Sequence, residues 1–132
     1  MKMREQGSSD FSDAVICEIP LKLPSLNEYV AACRANRYTG AKMVKQAEFE
    51  IRLFIHSLPK FDYPVNICFI WQEANRKRDF DNIAFAKKFI LDALVKEGKL
   101  KDDNRRHVTG FVDRFEYGDE WKVKLIIERS KT

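Results

Sequence analysis

Acidic side chains gather at two points in the second half of the sequence. Asp79 and Asp81 stand just before Asn82, and Asp102 and Asp103 form a second pair. If these carboxylates converge, two charges about 4 Å apart repel by roughly 4 kcal/mol at an effective dielectric of about 20. Either a cation offsets that repulsion or one carboxylate stays protonated. Oxygen ligands without histidine or cysteine nearby favour Mg²⁺, with Mn²⁺ as a substitute, over zinc.

Each acidic motif also has an ordinary structural interpretation. Aspartates at a helix N-terminus are common caps, and an Asp-Asp pair in a loop is ordinary turn chemistry. The two motifs also flank one helix. They converge only if the loop before the following strand packs back over that helix, a point that the sequence leaves open.

Basic residues surround both motifs. Residues 75–106 contain ten basic and six acidic side chains, which accounts for the whole net charge of +4. Attraction to phosphate is therefore concentrated in this quarter of the chain, although a solvated helix and loop would have the same composition. A metal site ringed by lysine and arginine suits phosphodiester hydrolysis, because metal and lysine can both stabilise charge in the transition state. The basic residues are Arg76, Lys77, Arg78, Lys87, Lys88, Lys96, Lys99, Lys101, Arg105 and Arg106.

Apolar residues at helical spacing predict the helix that carries Asp81. It begins near Asp79 or Phe80 and ends near Gly98, a suitable C-terminal cap. Asp81, Lys88 and Asp92 fall on the polar face. The opposite, core-facing side contains Ile83, Ala86, Phe89, Ile90, Ala93 and Leu94.

The remaining patterns predict an α+β fold with one mixed sheet of about four strands and two or three helices. Strands are expected over residues 14–19, 65–71, 108–115 and 121–127. Ser25 and Glu28 have capping-box spacing, so a short helix is expected over 26–33, followed by a polar connection over 34–39 and a helix over 40–58. A crossover makes the second and third strands parallel, and the last strand is expected to form a hairpin with the third.

Composition narrows the class of protein. With 132 residues and 45% apolar side chains, the chain is expected to form one domain over 14–132 after a flexible tail over 1–13. No apolar run is long enough for a bilayer, and nothing near the N-terminus resembles a secretory signal. Cys17, Cys33 and Cys68 lack metal-binding spacing, so a reducing cytoplasm is expected. No small-molecule cofactor is expected.

Four short strings of the sequence resemble the RusA family of Holliday junction resolvases, including its phage and prophage members. They are RDFDN at 78–82, KKFILDAL at 87–94, GKLKDD at 98–103 and PSLN at 24–27. The resemblance implies a RusA-like nuclease domain that acts as a homodimer and cuts two opposed strands of a four-way DNA junction in recombination and repair. It also implies that Asp79, Asp81 and Asp103 are the catalytic, metal-holding carboxylates and that Arg78 contacts DNA.

The resemblance further implies an active-site lysine in the helix, where Lys87 and Lys88 are adjacent. Lys88 is seven residues from Asp81 and shares its face, whereas Lys87 points about 120° away, so helical phase favours Lys88. The other expected DNA-binding residues are Arg76, Lys77, Lys87, Arg105 and Arg106. Two alternatives stay open: a nuclease for other branched DNA, and a non-catalytic DNA-binding module.

Overall fold

A computed structural model describes residues 14–131; the tail expected over 1–13 lies outside the described residues. Along the chain, the strands are β1 Val15–Ile19, β2 Val65–Glu73, β3 Val108–Tyr117 and β4 Lys122–Arg129. The helices are α1 Leu26–Ala35, α2 Arg37–Ile55, α3 Phe80–Ala84 and α4 Lys87–Lys96. Over the described part of the chain, no helix is both long and apolar enough to cross a membrane.

The four strands form one mixed sheet in the order β1-β4-β2-β3. The predicted α+β class is confirmed, as is the parallel pairing of β2 with β3, which runs from Val65 opposite Val108 to Glu73 opposite Tyr117. The predicted hairpin is wrong: β4 is antiparallel to β1 and β2 instead of pairing with β3. In this central position the apolar side of β4 is covered, and Leu125 is fully buried.

One face of the sheet carries the core. Ile67, Phe69 and Trp71 of β2 are buried on this face together with residues of α2 and α4. The alternate residues of β2, including Cys68 and Ile70, are only partly buried or exposed on the other face. Within residues 14–131, the sheet therefore has a helical layer on one side and an uncovered surface on the other.

Two helix boundaries differ from the sequence prediction around Asn36. The capping box at the start of α1 is confirmed, since Ser25 Oγ accepts from the Glu28 N–H at 3.1 Å and the Glu28 carboxylate accepts from the Ser25 N–H. The predicted polar connection over 34–39 is wrong, because Asn36 alone separates α1 from α2. Its Oδ1 caps α2 by accepting from the Thr39 N–H at 2.9 Å.

The single helix predicted from Asp79 or Phe80 to Gly98 is also wrong, because a joint at Phe85 and Ala86 divides it into α3 and α4. Around the joint the N–H groups of Ala86, Lys88 and Phe89 bind carbonyls three residues back. Such tight turns advance each residue by about 120° instead of 100°. The helical phase that related Asp81 to Lys88 in the sequence therefore does not carry across the joint. The predicted end is confirmed by Gly98, whose φ is 72°.

Candidate metal and nucleic-acid site

Asp79 and Asp81 lie at the start of α3, just beyond the C-terminal end of β2. Asp79 is the N-cap residue, yet its side chain makes no capping hydrogen bond. Both residues are exposed, and neither carboxylate has an ion-pair or hydrogen-bond partner among residues 14–131. The ordinary capping explanation therefore does not account for these two carboxylates, which are free to bind a cation from solvent.

A largely buried ion pair fixes the segment that presents them. The Arg78 guanidinium donates to both carboxylate oxygens of Glu73, at 2.8 and 2.7 Å, and to the Leu23 carbonyl at 2.8 Å. The Arg78 and Glu73 side chains are 15% and 5% exposed. Arg78 thus connects the end of β2 with the segment before α1. The expected contact of Arg78 with DNA stays a prediction. Its guanidinium already donates to three acceptors within the chain.

A second contact holds α3 against the start of α1. The Asn27 N–H donates to Asn82 Oδ1 at 2.9 Å. Asn27 belongs to the PSLN string and Asn82 to the RDFDN string, so two separate parts of the sequence meet here. Both contacts restrict how α3 can move relative to the sheet.

Asp102 and Asp103 have different environments although they are adjacent. Asp102 accepts from the Asp103 N–H at 2.7 Å and from Asn104 Nδ2 at 3.2 Å, so its carboxylate shapes the turn. The Asp103 carboxylate is exposed and has no partner in the described chain. Of the two, Asp103 is the residue available for an external ligand.

The acidic motifs lie at opposite ends of the β2–β3 pair. The Phe80 ring stacks on Phe115 with centroids 4.1 Å apart, which places Asp79 and Asp81 at the level of Phe115. The Val108 N–H binds the Asn104 carbonyl at 2.9 Å, which places Asp103 at the level of Val108. Seven residues of strand separate these levels, or about 23 Å along β3.

The loop before β3 therefore does not pack back over the helix, because the crossover carries the chain to the opposite end of the sheet. Residues 14–131 accordingly contain no group of three histidine, cysteine or carboxylate side chains placed to hold one metal ion. Within a single chain, Asp79 and Asp81 form one half of the expected constellation and Asp103 the other.

Lys87 and Lys88 point to different surroundings. Lys87 Nζ lies 2.6 Å from Asp113 Oδ2 and 4.8 Å from the centroid of the Phe111 ring, and its side chain is 18% exposed. Lys88 is 53% exposed and makes a longer contact of 3.4 Å with Asp92. Lys87 is thus held against the sheet, whereas Lys88 is available to an approaching phosphate.

The other basic residues divide between the two ends. Arg76 and Lys77 are exposed near Asp79, with the Arg76 guanidinium 3.8 Å from the centroid of the Tyr117 ring. Arg105 and Arg106 are exposed in the turn that carries Asp103. Arg106 also lines a cavity of about 700 Å³ between this turn and the chain entering β2. Each free acidic group therefore has its own neighbouring pair of cations.

Two structural residues of the site escaped the sequence analysis. Glu73 occupies a buried position in the alternating pattern of β2, and a charge at such a position signals a partner that the fold must provide. Asp113 of β3 accepts from Trp71 Nε1 at 2.9 Å as well as pairing with Lys87. The sequence pattern of β3 does not indicate these partners.

Comparison with known proteins does not identify a family for this chain. No protein-family model matches the chain, and a search of curated proteins finds no match.

Proposed function

We propose that the protein is a Mg²⁺-dependent endodeoxyribonuclease of the RusA type, which resolves four-way DNA junctions by paired strand cleavage in recombination and repair. The observation that carries the proposal is the pair of exposed carboxylates, Asp79 and Asp81, which have no hydrogen-bond or ion-pair partner among residues 14–131. A buried ion pair and the Asn27–Asn82 contact hold them in place. Such rigidity is expected of residues that position reacting groups.

The donor chemistry of the pair fits a hard divalent cation. Mg²⁺ is commonly held by one or two carboxylates together with water and substrate phosphate oxygens, so Asp79 and Asp81 supply what the protein must contribute. Asp103 is the third proposed ligand, although it lies at the other end of the sheet within one chain. When bound, the ion would polarise the scissile phosphate and assist deprotonation of the attacking water.

Basic side chains would bind and orient the DNA. Arg76 and Lys77 lie beside the carboxylates and would contact phosphates of the backbone, while Arg105 and Arg106 would do so at the other end. Lys88 is the proposed catalytic lysine, because an exposed ammonium at the start of α4 can stabilise negative charge on the phosphate during cleavage. We place this activity in the cytoplasm and assign it to a homodimer.

The deciding experiment is cleavage of a labelled mobile four-way junction in Mg²⁺, beside a linear duplex of the same sequence. The wild-type protein should produce paired symmetric nicks in the junction alone. Asp81→Asn should reduce cleavage at least about 100-fold while binding is kept, because the substitution removes a ligand charge but not the basic surface. Asp119→Asn removes the same charge from an exposed turn and should cut normally. Cleavage by Asp81→Asn at the wild-type rate would refute the proposal.

One observation favours a second candidate, a non-catalytic DNA-binding module. Within one chain, the described residues do not gather three possible metal ligands. The module would bind junctions tightly and leave them uncut with Mg²⁺ or Mn²⁺, and Asp81→Asn would at most strengthen binding by removing a charge that repels phosphate. Nicking of flaps, forks and junctions at equal rates would instead indicate a nuclease for branched DNA in general.

A further inference from the structure

The cavity of about 700 Å³ lies at the N-terminal end of the β2–β3 pair, next to the turn that carries Asp103. Its lining comes from residues 60–64 before β2, from the end of α4 and the residues after it, and from residues 106–107 before β3. Pockets for small organic ligands have volumes of roughly 300 to 1,000 Å³. Asp79 and Asp81 lie about 23 Å away along β3, so the cavity is separate from their site.

Two backbone hydrogen bonds join the walls of the cavity. The Phe61 N–H donates to the Lys99 carbonyl at 2.8 Å, which joins the segment before β2 to the chain that follows α4. The Val65 N–H donates to the His107 carbonyl at 3.0 Å, which joins the start of β2 to the turn before β3. The fold itself therefore forms the cavity, as is usual for sites that bind small ligands.

Aromatic and aliphatic side chains form the apolar part of the lining. Phe61 and Leu100 are only 5% and 2% exposed. The partly buried Tyr63 ring packs edge-to-face with Phe61, with centroids 6.1 Å apart, and the Arg129 guanidinium lies 3.8 Å from the centroid of the Tyr63 ring. These contacts hold the tyrosine in place. An aromatic ring held in this way offers a surface on which a planar base can stack.

Three exposed cations, Lys60, Lys101 and Arg106, line the same cavity. None of their side chains has an ion-pair partner among residues 14–131. Lysine and arginine bind phosphate oxygens through charge-assisted hydrogen bonds. In the described part of the chain, Asp62 supplies the one carboxylate of the lining. It repels phosphate but can accept a hydrogen bond from an amino group on a base.

We propose that this cavity binds one nucleoside monophosphate unit, with its base against Tyr63 and its phosphate on the three cations. A phosphate ion alone would leave the apolar part of the cavity unfilled, and an apolar ligand would leave the cations without a partner. A base with an amino group, such as adenine, also provides a donor for Asp62. A free nucleotide and an unstacked nucleotide of a DNA strand both supply this chemistry.

Titration of the isotope-labelled protein with dAMP, followed by its amide resonances, tests the pocket. The nucleotide should shift the resonances of Tyr63, Gly98 and Lys101 but not that of Asp81. Deoxyadenosine and inorganic phosphate should each bind at least about tenfold more weakly, because only dAMP links the base to the phosphate. dIMP has an oxygen in place of the amino group and should bind more weakly than dAMP. Equal affinity for the two nucleotides would contradict the role of Asp62.

Substitutions separate the contribution of the base from that of the phosphate. Tyr63→Leu keeps an apolar side chain but should lower the affinity for dAMP at least about fivefold, since base stacking is lost, whereas Tyr63→Phe should keep it. Lys101→Met should weaken binding of dAMP and phosphate but not of deoxyadenosine. Tyr38→Leu and Lys42→Met change exposed residues of α2 outside the lining and are the matched controls, which should bind dAMP as the wild type does.

A DNA strand distinguishes the two sources of the nucleotide. Fluorescence anisotropy measures the affinity for a labelled oligo-dA strand of about 12 nucleotides. If Tyr63→Leu weakens binding of the strand as it weakens binding of dAMP, the pocket takes a nucleotide of DNA. If it weakens only the binding of dAMP, the pocket takes a free nucleotide.

The pocket and the proposed nuclease function can fail independently. Unchanged cavity resonances with dAMP, equal affinity for dAMP and inorganic phosphate, or wild-type affinity for dAMP in Tyr63→Leu would each overturn the pocket. An inactive protein that binds dAMP in the cavity would remove the nuclease proposal and keep the pocket. A protein that resolves junctions but does not bind dAMP would do the reverse.

Discussion

The two ends of the β2–β3 pair present similar residues but are built differently. At the C-terminal end, Asp79 and Asp81 are held by the largely buried Arg78–Glu73 ion pair, and Arg78 also donates to the Leu23 carbonyl, which joins two separate parts of the chain. At the N-terminal end, Asp103 is held by a local turn in which Asp102 and Asn104 bind neighbouring groups. Long-range contacts fix one end, and short-range contacts shape the other.

This difference predicts that substitutions near the two acidic motifs will change the stability of the fold by different amounts. A buried ion pair costs several kcal/mol when one partner is removed, because the remaining charge is left without compensation. Loss of a hydrogen bond in an exposed turn costs much less, because water replaces it. Breaking the Arg78–Glu73 ion pair at the C-terminal end should therefore destabilise the fold more than breaking the turn contacts of Asp102 at the N-terminal end.

The largest effect should come from Glu73→Ala. It leaves the Arg78 guanidinium buried beside α3 without its carboxylate, and we expect the free energy of unfolding to fall by about 3 kcal/mol. Urea denaturation followed by circular dichroism measures this loss. Glu116→Ala on the neighbouring strand removes an exposed carboxylate and should change stability by less than about 0.5 kcal/mol. Equal stability of the two variants would mean that the buried ion pair does not fix this end.

Lys87 and Lys88, which are adjacent in α4, allow a comparison between a lysine held by the fold and a lysine available to DNA. Lys87→Met breaks the pair with Asp113 and should cost about 1 kcal/mol, since the pair is partly buried. Lys88→Met should cost less than about 0.5 kcal/mol but slow cleavage roughly 100-fold, with little change in the substrate concentration for half-maximal rate. Denaturation and single-turnover cleavage distinguish them. A greater loss of rate in Lys87→Met than in Lys88→Met would reverse the assignment.

At the N-terminal end, substitutions of the adjacent residues Asp102 and Asp103 should likewise differ in their effects on stability and on cleavage. Asp102→Ala removes the turn contacts and should lower stability by about 1 kcal/mol. Asp103→Ala removes a carboxylate that has no partner in the described part of the chain, and it should leave stability within about 0.5 kcal/mol of the wild type while abolishing cleavage. Thermal unfolding beside the junction assay tests the pair. A destabilised Asp103→Ala protein would show that its carboxylate has a structural role.

Short-range signals account for what the sequence predicted well. Ser25 with Glu28 and the glycine at 98 act over a few residues, so the start of α1 and the end of the α4 region were predicted correctly. The parallel pairing of β2 and β3 followed from the length of the crossover. The two helix ends need no knowledge of distant contacts.

Long-range choices account for the errors. Alternation in β4 specifies which side of the strand is buried but not which strands lie beside it, so its place between β1 and β2 could not be predicted. The joint between α3 and α4 coincides with ring contacts of Phe85 with Tyr29 and Phe89, and apolar spacing does not encode such contacts. The separation of Asp103 from Asp81 is different, because it follows from the predicted parallel pairing: the crossover returns the chain to the opposite end of the sheet.

The smallest effect should come from Glu97, which anchors the chain just before the turn that carries Asp103. Hydrogen bonds from His56, at 2.9 Å, and from Arg52, at 2.8 Å, lower the pKa of the Glu97 carboxyl below its ordinary value of 4.5. A lowered pKa in the folded state means that the ionised form stabilises the fold. This contribution is complete above the ordinary value and is lost as pH falls through the lowered pKa.

Glu97→Gln removes this contribution and should therefore be slightly less stable than the wild type at pH 6. The difference between the two proteins should shrink as pH falls below 4.5 and vanish once the wild-type carboxyl is protonated. Urea denaturation at a series of pH values measures it, with Glu50→Gln on α2 as the matched control. If the difference grew on acidification, the carboxyl would stabilise the fold in its protonated form, and the anchor of this end would be of a different kind from the Arg78–Glu73 pair.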